Sequence, residues 1–510
     1  MDESCCYPII YEENKIMVLA DLKEGRLDYL DSSEWSFQDK FFGFLLGIGF
    51  FEVCGVSYPS PRKKEEVPLW FLLACQVQMK LHTTASFERL PFLLRSGAIL
   101  SRVKFNVGGV NGGFNNKNRK ERESAVHHDT PRKFFKDTDC GKMRDWHNQE
   151  VVRFFRRNRG FDKHGIFLLD QTHVVVPDND NYKDAVWMPV DEHGQRIDMS
   201  GMTEEQKKVV KYHRCYALSE LLHVEKDAKS FLFAGYQWGS GNTDELTQGI
   251  PLVRGFVDAV GKGVMELLIM DRGYIDGGFV TMVKNELEAD VLMPLRSNMD
   301  ILLDAQRIAE KFHYKWEKYD EYTKHETRYL EEVVVVEEMQ TWDKCEVPLY
   351  VSLMKITASD DSVKVWGIAT TFKPKNAKEV FDIYALRTQI EERHRQLKSC
   401  WGINHFTSPD KSLIEAHVLF TLLTYSLIQL YLTKTHLNQL ANKTILSLRQ
   451  EERIGKDNVI VYSGKYFAVF DQIDYIEILV DLKEEARLRL QKWVKQFKQR
   501  DKLRKSGPFP

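Results

Sequence analysis

Four residues are spaced so that they could act together: Tyr384, Arg387, Glu391 and Lys398, within YALRTQIEERHRQLK (384–398). On a continuous α-helix each residue turns the chain by about 100°, which places all four in a sector of roughly 60°. One face then carries a phenol, a carboxylate and two cations, and Arg395 widens it only slightly. Glu392 points about 100° away from Glu391. Two carboxylates upstream share a second pattern. Asp170 closes the apolar run IFLLD before QT, and Asp271 closes ELLIMD before RGY. Each is expected at the end of a strand. Two strand-end carboxylates and one on a helix suit two-metal phosphoryl transfer. Mg2+ takes hard oxygen ligands and keeps several waters, so few carboxylates are needed. Two such ions about 3.5–4 Å apart activate the attacking oxygen and stabilise the leaving one. Arg and Lys nearby can hold DNA phosphates, as a fork and as a point charge.

Taken alone, each feature has a plainer reading. The helix face is also a solvated surface with an Arg387–Glu391 pair worth about 0.2–0.5 kcal/mol. An acid after an apolar strand is often a turn residue. Nucleotide hydrolases share that pattern but need GxxxxGK[ST] to cradle phosphates. GKGV at 261–264 lacks both the Ser/Thr and the upstream glycine.

The elements that must position these residues follow from apolar patterning. GIFLLDQTHVVVP, from 165, reads as a strand, and CYALSELLHV (215–224) and SFLFAGYQWG (230–239) as two more. A helix over 244–261, a strand over 265–273, a helix over 274–288 and a strand over 289–296 follow. Strands followed by alternating helix and strand imply a mixed α/β sheet. Residues 300–373 carry the β-rich runs YLEEVVVVEEMQTW, VPLYVSLMKIT and VKVWGIATTF.

Toward the N-terminus, VPLWFLLACQVQMKL (67–81) and FERLPFLLRSGAIL (87–100) flank HTTAS. They fit a DNA-binding helix-turn-helix and equally any helical bundle. The Gly/Asn-rich, then basic, stretch 106–123 reads as a linker. Residues 144–160 read as a helix ending in Arg153, Arg156, Arg157 and Arg159, which is either a solvated face or a basic contact surface. His127, His128 and Asp129 are metal-ligand types, but they lie in a polar linker. The apolar stretch 413–432 has spanning length. Glu415 and His417 near its start, with interior Thr, Ser and Gln, make it a core helix instead. The net charge of −2 confines any basic surface to local patches. One such patch is RLRLQKWVKQFKQRDKLRK (487–505), either a flexible tail or a docking helix. The eight scattered cysteines form no CxxC pair and suit a reducing cytosol. The acidic start has no apolar signal core. The expectation is a cytoplasmic, nucleoid-associated protein with no membrane partner.

The gapless run Tyr384–x2–Arg387–x3–Glu391–x6–Lys398 resembles the YREK signature of DDE transposases of the insertion-sequence-four type. LLDQT and LLIMDRGY stand upstream in the order that this resemblance requires, and the β-rich segment before Glu391 is similar to the family's insertion. The resemblance covers about residues 160–435. It implies an α/β fold: an RNase H-like mixed-sheet catalytic core, related to retroviral integrases, with a β-rich insertion. A mainly helical N-terminal domain precedes it and a helical C-terminal region follows.

The implied layout is a helical domain over 1–105 with possible DNA-end binding, then a basic linker and helix over 106–160. The core's first part spans 161–299, the insertion 300–373, and the second part with the YREK helix 374–435. A basic region over 436–510 is expected in dimerisation or DNA contact. By the same resemblance Asp170, Asp271 and Glu391 form the catalytic, metal-holding triad for Mg2+ or Mn2+, two ions in all. Tyr384, Arg387, Lys398 and Arg395 are expected to contact DNA. The family's base-stabilising aromatic is not assigned among Trp316, Trp342 and Trp366. The implied reaction frees a 3′-OH at an element's end and joins it to target double-stranded DNA, with two ends paired by a homodimer. A catalytically inactive, transposase-derived DNA-binding protein and an RNase H-like nuclease acting on hybrids or junctions are the competing readings.

Overall fold

The computed structural model describes residues 16–505, except 34–35, 95–98, 100–101, 104–113, 115–124, 198, 200, 226, 228, 343, 452–457 and 464–465. The chain's first residues, most of the expected 106–123 linker and the end of the apolar stretch 87–100 lie outside the described residues. The chain forms two compact units, Met1–Asp139 with Lys443–Pro510, and Cys140–Asn442.

In the first unit, β1 (Tyr29–Ser33) precedes helices Ser36–Gly47, Phe50–Ser57 and Leu69–Leu81. The last of these is the first of the two apolar stretches expected as helices. In its described part the second gives only two short turns, Phe87–Arg89 and Leu90–Leu93. His127, His128 and Asp129 do come together where helix Asp129–Asp137 begins, with the imidazole centroids 4.2 Å apart.

The second unit holds one ten-stranded sheet: β2 (Gly165–Val175), β3 (Val186–Met188), β4 (His213–Val224), β5 (Phe231–Ser240), β6 (Met265–Met270), β7 (Asp290–Pro294), β8 (Glu317–Lys324), β9 (Thr327–Met339), β10 (Leu349–Ala358) and β11 (Val363–Thr370). Its heart runs β5-β4-β2-β6-β7. β4 is antiparallel to β5 and β2, while β2, β6 and β7 run parallel. This is the expected mixed, RNase H-like arrangement. Strands covered on both faces need apolar residues throughout rather than in alternation, which is why IFLL and LLIM are unbroken. The crossover helix Glu245–Val260 starts where the Asp244 side chain accepts the N–H groups of Leu246 and Thr247. It stops at Gly261, whose φ of 87° suits glycine. Asp276 caps the next crossover, Gly277–Asn285, in the same way.

The β-rich segment prolongs this sheet. β11 pairs antiparallel with β7, and β10, β9 and β8 follow outward. The segment opens on a helix, Asp300–Lys311, which its β-rich composition conceals. The burial of Ile301, Leu302, Ala305 and Ala309 shows its helical period.

Helix Lys411–Lys434 is long and apolar enough to cross a bilayer, but 94% of its most apolar window is buried inside the protein. Glu415, fully buried on it, accepts hydrogen bonds from the Tyr236 hydroxyl (2.6 Å) and the Trp238 indole (2.5 Å), with Arg144 3.8 Å away. Replacing one partner of a buried, hydrogen-bonded charge leaves the others uncompensated. Glu415→Ala is therefore expected to destabilise the protein by about 3–5 kcal/mol, measured by urea unfolding of the full chain.

After Asn442 come helix Ile445–Glu451, the hairpin β12 (Asn458–Ser463) and β13 (Tyr466–Asp471), and helices Gln472–Val480 and Glu484–Lys505. β12 pairs with β1, so both ends of the chain build the first unit. Val18, Leu22 and Leu27 share a core there with Val461, Ala468 and Phe470. The expectation of helical ends omits this small sheet, whose strands are five or six residues long.

Candidate active site

Asp170 does not end its strand. It lies mid-way along β2, opposite Glu220 of β4, and the pairing continues to Val175↔Cys215. What ends beside it is β6. Leu169 pairs with Met270, the last residue of β6, so Asp271 leaves the sheet next to Asp170. Burial pushes the Asp170 carboxyl up to about 6 against the pull of His394 and Arg387, with Asp271 also raising it. Asp271 opens the tight turn Arg272–Tyr274. A Cβ at Gly273 would fall 1.0 Å from a Glu245 carboxylate oxygen, so any larger residue there would displace the Glu245 side chain.

The expected single helix over 384–398 is two helices, Ala377–Ala385 and Thr388–Ser399. At the joint, Leu386 and Arg387 donate to the carbonyls of Ile383 and Tyr384, three residues back, and the Thr388 hydroxyl bonds the Ala385 carbonyl. Such a tightened turn, with a β-branched hydroxyl residue satisfying the backbone, replaces the α-helical step. The 60° sector therefore does not describe the real face.

Arg387 nevertheless gathers all three carboxylates. Its guanidinium lies 2.8 Å from Glu391, 3.2 Å from Asp271 and 4.0 Å from Asp170. Burial works against its charge, but the surrounding acids more than offset that and keep it firmly protonated. Tyr384 lies against Trp366, ring centroids 6.1 Å apart, and burial raises its phenol above the usual range. Of the three tryptophans left open, Trp366 is thus on the site's own aromatic edge. Trp316 instead carries the Lys355 ammonium over its ring.

The two remaining cations lie elsewhere. Lys398 donates to the Thr172 hydroxyl (2.6 Å) and to the Gly194 carbonyl (3.4 Å). It is anchored to β2 two residues beyond Asp170, and burial lowers its ammonium to about 8. Arg395 was expected to widen the Glu391 face. Instead it forks onto Glu392 at 2.6 and 2.7 Å, and its hydrogen bonds draw the Glu392 carboxyl down to about 2. The reason is local: Glu392 is one turn back, and the bidentate fit is better than a reach to Glu391.

Sequence reasoning missed His394 and Glu220. His394 lies 3.9 Å from Asp170 and 2.5 Å from Glu220, both buried. The signal was present: Glu220 is the one acid in the apolar run CYALSELLHV, and His394 follows Glu391 by a helical turn.

The donor set suits a hard divalent cation, three carboxylates from three elements around one point. The guanidinium at that point stands in for such a charge. With Arg387 between them the three carboxylates stay apart. Among the described residues, the three-residue group with ligand atoms all within 4.8 Å is His127, His128 and Asp129, in the other unit.

A protein-family model described as a transposase DDE domain matches residues 162–427. No curated protein matches the chain.

Proposed function

The chain belongs to the transposase DDE-domain family, and from that premise we propose that it cuts phosphodiester bonds at the ends of an insertion sequence and joins the freed 3′-OH ends to target DNA. The observation that carries this reading is the single guanidinium of Arg387 shared by Asp170, Asp271 and Glu391. These three carboxylates are the residues that would hold two Mg2+ or Mn2+ ions. When bound, such ions supply activation of the attacking oxygen and charge stabilisation on the leaving one. Burial raises the Asp170 carboxyl to about 6, so it is mostly ionised at neutral pH, and a divalent cation beside it would offset the cost of its buried charge.

Arg387 offers a phosphate the planar fork with which it now bridges the acids. Tyr384 adds a phenol at the same edge, and Trp366 beside it offers a ring face for an unstacked base. Lys398 reaches a phosphate by leaving Thr172 and the Gly194 carbonyl, which makes it a late contact. Arg395, paired but exposed, is an outer one. In this reading two ends are held by two copies of the chain in a synaptic complex, and the YREK spacing supports the insertion-sequence-four type.

The test is incubation of the protein with labelled DNA carrying the ends that flank its coding sequence, in Mg2+ or Mn2+. The expected products are strands nicked at the element boundary and bearing 3′-OH groups, followed by joined products with a second duplex. Specific binding of those ends with no nicking in either metal would overturn the catalytic reading and leave a DNA-binding protein.

A further inference from the structure

Behind Asp170 lies a carboxylate that the proposed chemistry does not use. Glu220 pairs with Asp170 in register across β4 and β2. Residues directly opposite in an antiparallel pair project to the same face of a sheet. Glu220 is fully buried, and neither of its oxygens has a hydrogen-bond partner among the described residues. Its close ionisable neighbour is His394, whose Nε2 lies 2.5 Å away at an angle unsuited to a hydrogen bond. The other ring nitrogen, Nδ1, faces Asp170 at 3.9 Å. The imidazole therefore stands between two acids of adjacent strands, on the helix that also carries Glu391.

A buried carboxylate without hydrogen bonds is costly, and an apolar residue of the same volume would serve the fold at least as well. Its placement makes sense if it sets the position of something else. Groups that orient a ligand's neighbour are a regular part of metal sites, and their loss weakens the metal rather than the fold.

We propose that Glu220 is a positioning residue that acts through His394, holding the imidazole against the Asp170 carboxylate and so fixing how Asp170 presents its oxygens to a divalent cation. This rests on the reading of Asp170 as a metal-holding residue. Arg387 approaches Asp170 as well, but it also serves Asp271 and Glu391. Lys398 acts on both Asp170 and Glu220 from farther away, and among the described residues His394 is the side chain within 4 Å of both carboxylates.

The test is direct Mn2+ binding to the metal-free protein without DNA, read by electron paramagnetic resonance of the free ion. Asp170→Asn, Glu220→Gln, His394→Gln and the Glu220→Gln/His394→Gln double variant are compared, each with its melting temperature. Glu220→Gln is expected to weaken Mn2+ binding about tenfold, with no loss of melting temperature. His394→Gln should weaken it similarly, and the double variant no further than either single one, since both act through one ring. Wild-type Mn2+ binding by Glu220→Gln, when Asp170→Asn has lost it, overturns the proposal and leaves the triad standing. Additive losses in the double variant overturn it too, because the two residues then act separately. Wild-type binding by Asp170→Asn removes the metal reading of Asp170, and this proposal with it.

Discussion

Glu391→Gln protein is expected to bind the element's end DNA as wild type does and to nick it about a thousandfold more slowly. A thousandfold corresponds to about 4 kcal/mol of transition-state stabilisation, within what carboxylate-held metal ions supply. Glu391 is the best of the three carboxylates for this comparison, because its side chain is 51% exposed and its described ion pair is with Arg387 alone. Losing a half-exposed pair one turn apart costs at most about 0.5 kcal/mol. It also relieves repulsion, since three carboxylates share one guanidinium while no metal is bound. The metal-free variant should therefore melt at or slightly above the wild-type temperature. Nicking of labelled ends in Mg2+ and a melting curve from the same preparation decide it. Undiminished nicking would remove Glu391 from the chemistry. Lost nicking with a large fall in melting temperature would make its role structural.

The candidate site was legible in sequence to the extent that its residues are placed by spacing within an element. Asp271 follows the apolar run LLIM, so its place at a strand's end could be read directly. Asp170 could be recognised but not placed. Whether β2 stops or continues after it depends on β4, which pairs with it beyond the point where β6 ends. The mixed sheet followed from the alternation of strands and helices. That β11 would extend this sheet through β7, rather than close a separate one, is a pairing between strands some seventy residues apart, and no local pattern records it. The helix joint at Leu386–Arg387 turns on a Thr388 hydroxyl bond, which a residue count at fixed pitch cannot anticipate. Glu220 and His394 were visible as oddities of type. Their meeting at Asp170 is a tertiary fact.

Arg387→Ala is expected to lower the melting temperature of the metal-free protein by about 5 °C and to enlarge the stabilisation gained from Mn2+. The guanidinium is the cation that three carboxylates share, and its side chain is 23% exposed. Removing one partner of a fully buried charge network costs about 3–5 kcal/mol, and partial exposure reduces this to about 2 kcal/mol. For a unit of this size each kcal/mol moves the melting temperature by about 2–4 °C. Arg387 acts on ionised acids, so the loss depends on pH. The Asp170 carboxyl titrates at about 6 in the fold, above its unfolded range near 3.9. The cost of burying its charge is then complete above pH 6 and disappears as pH falls toward 4. Without Arg387 that cost grows, so wild type and variant should differ most above pH 6, and the Asp170 share of the difference should fade as pH falls toward 4. Divalent metal reverses the comparison, because in wild type it must displace the guanidinium and in the variant it need not. Arg387→Lys should recover only part of the lost stability, since one ammonium cannot reach three carboxylates as a fork does. Melting curves at pH 4.5 and 7.5, with and without Mn2+, separate these effects. An equal Mn2+ shift in wild type and Arg387→Ala would mean that arginine and metal do not compete for the same oxygens.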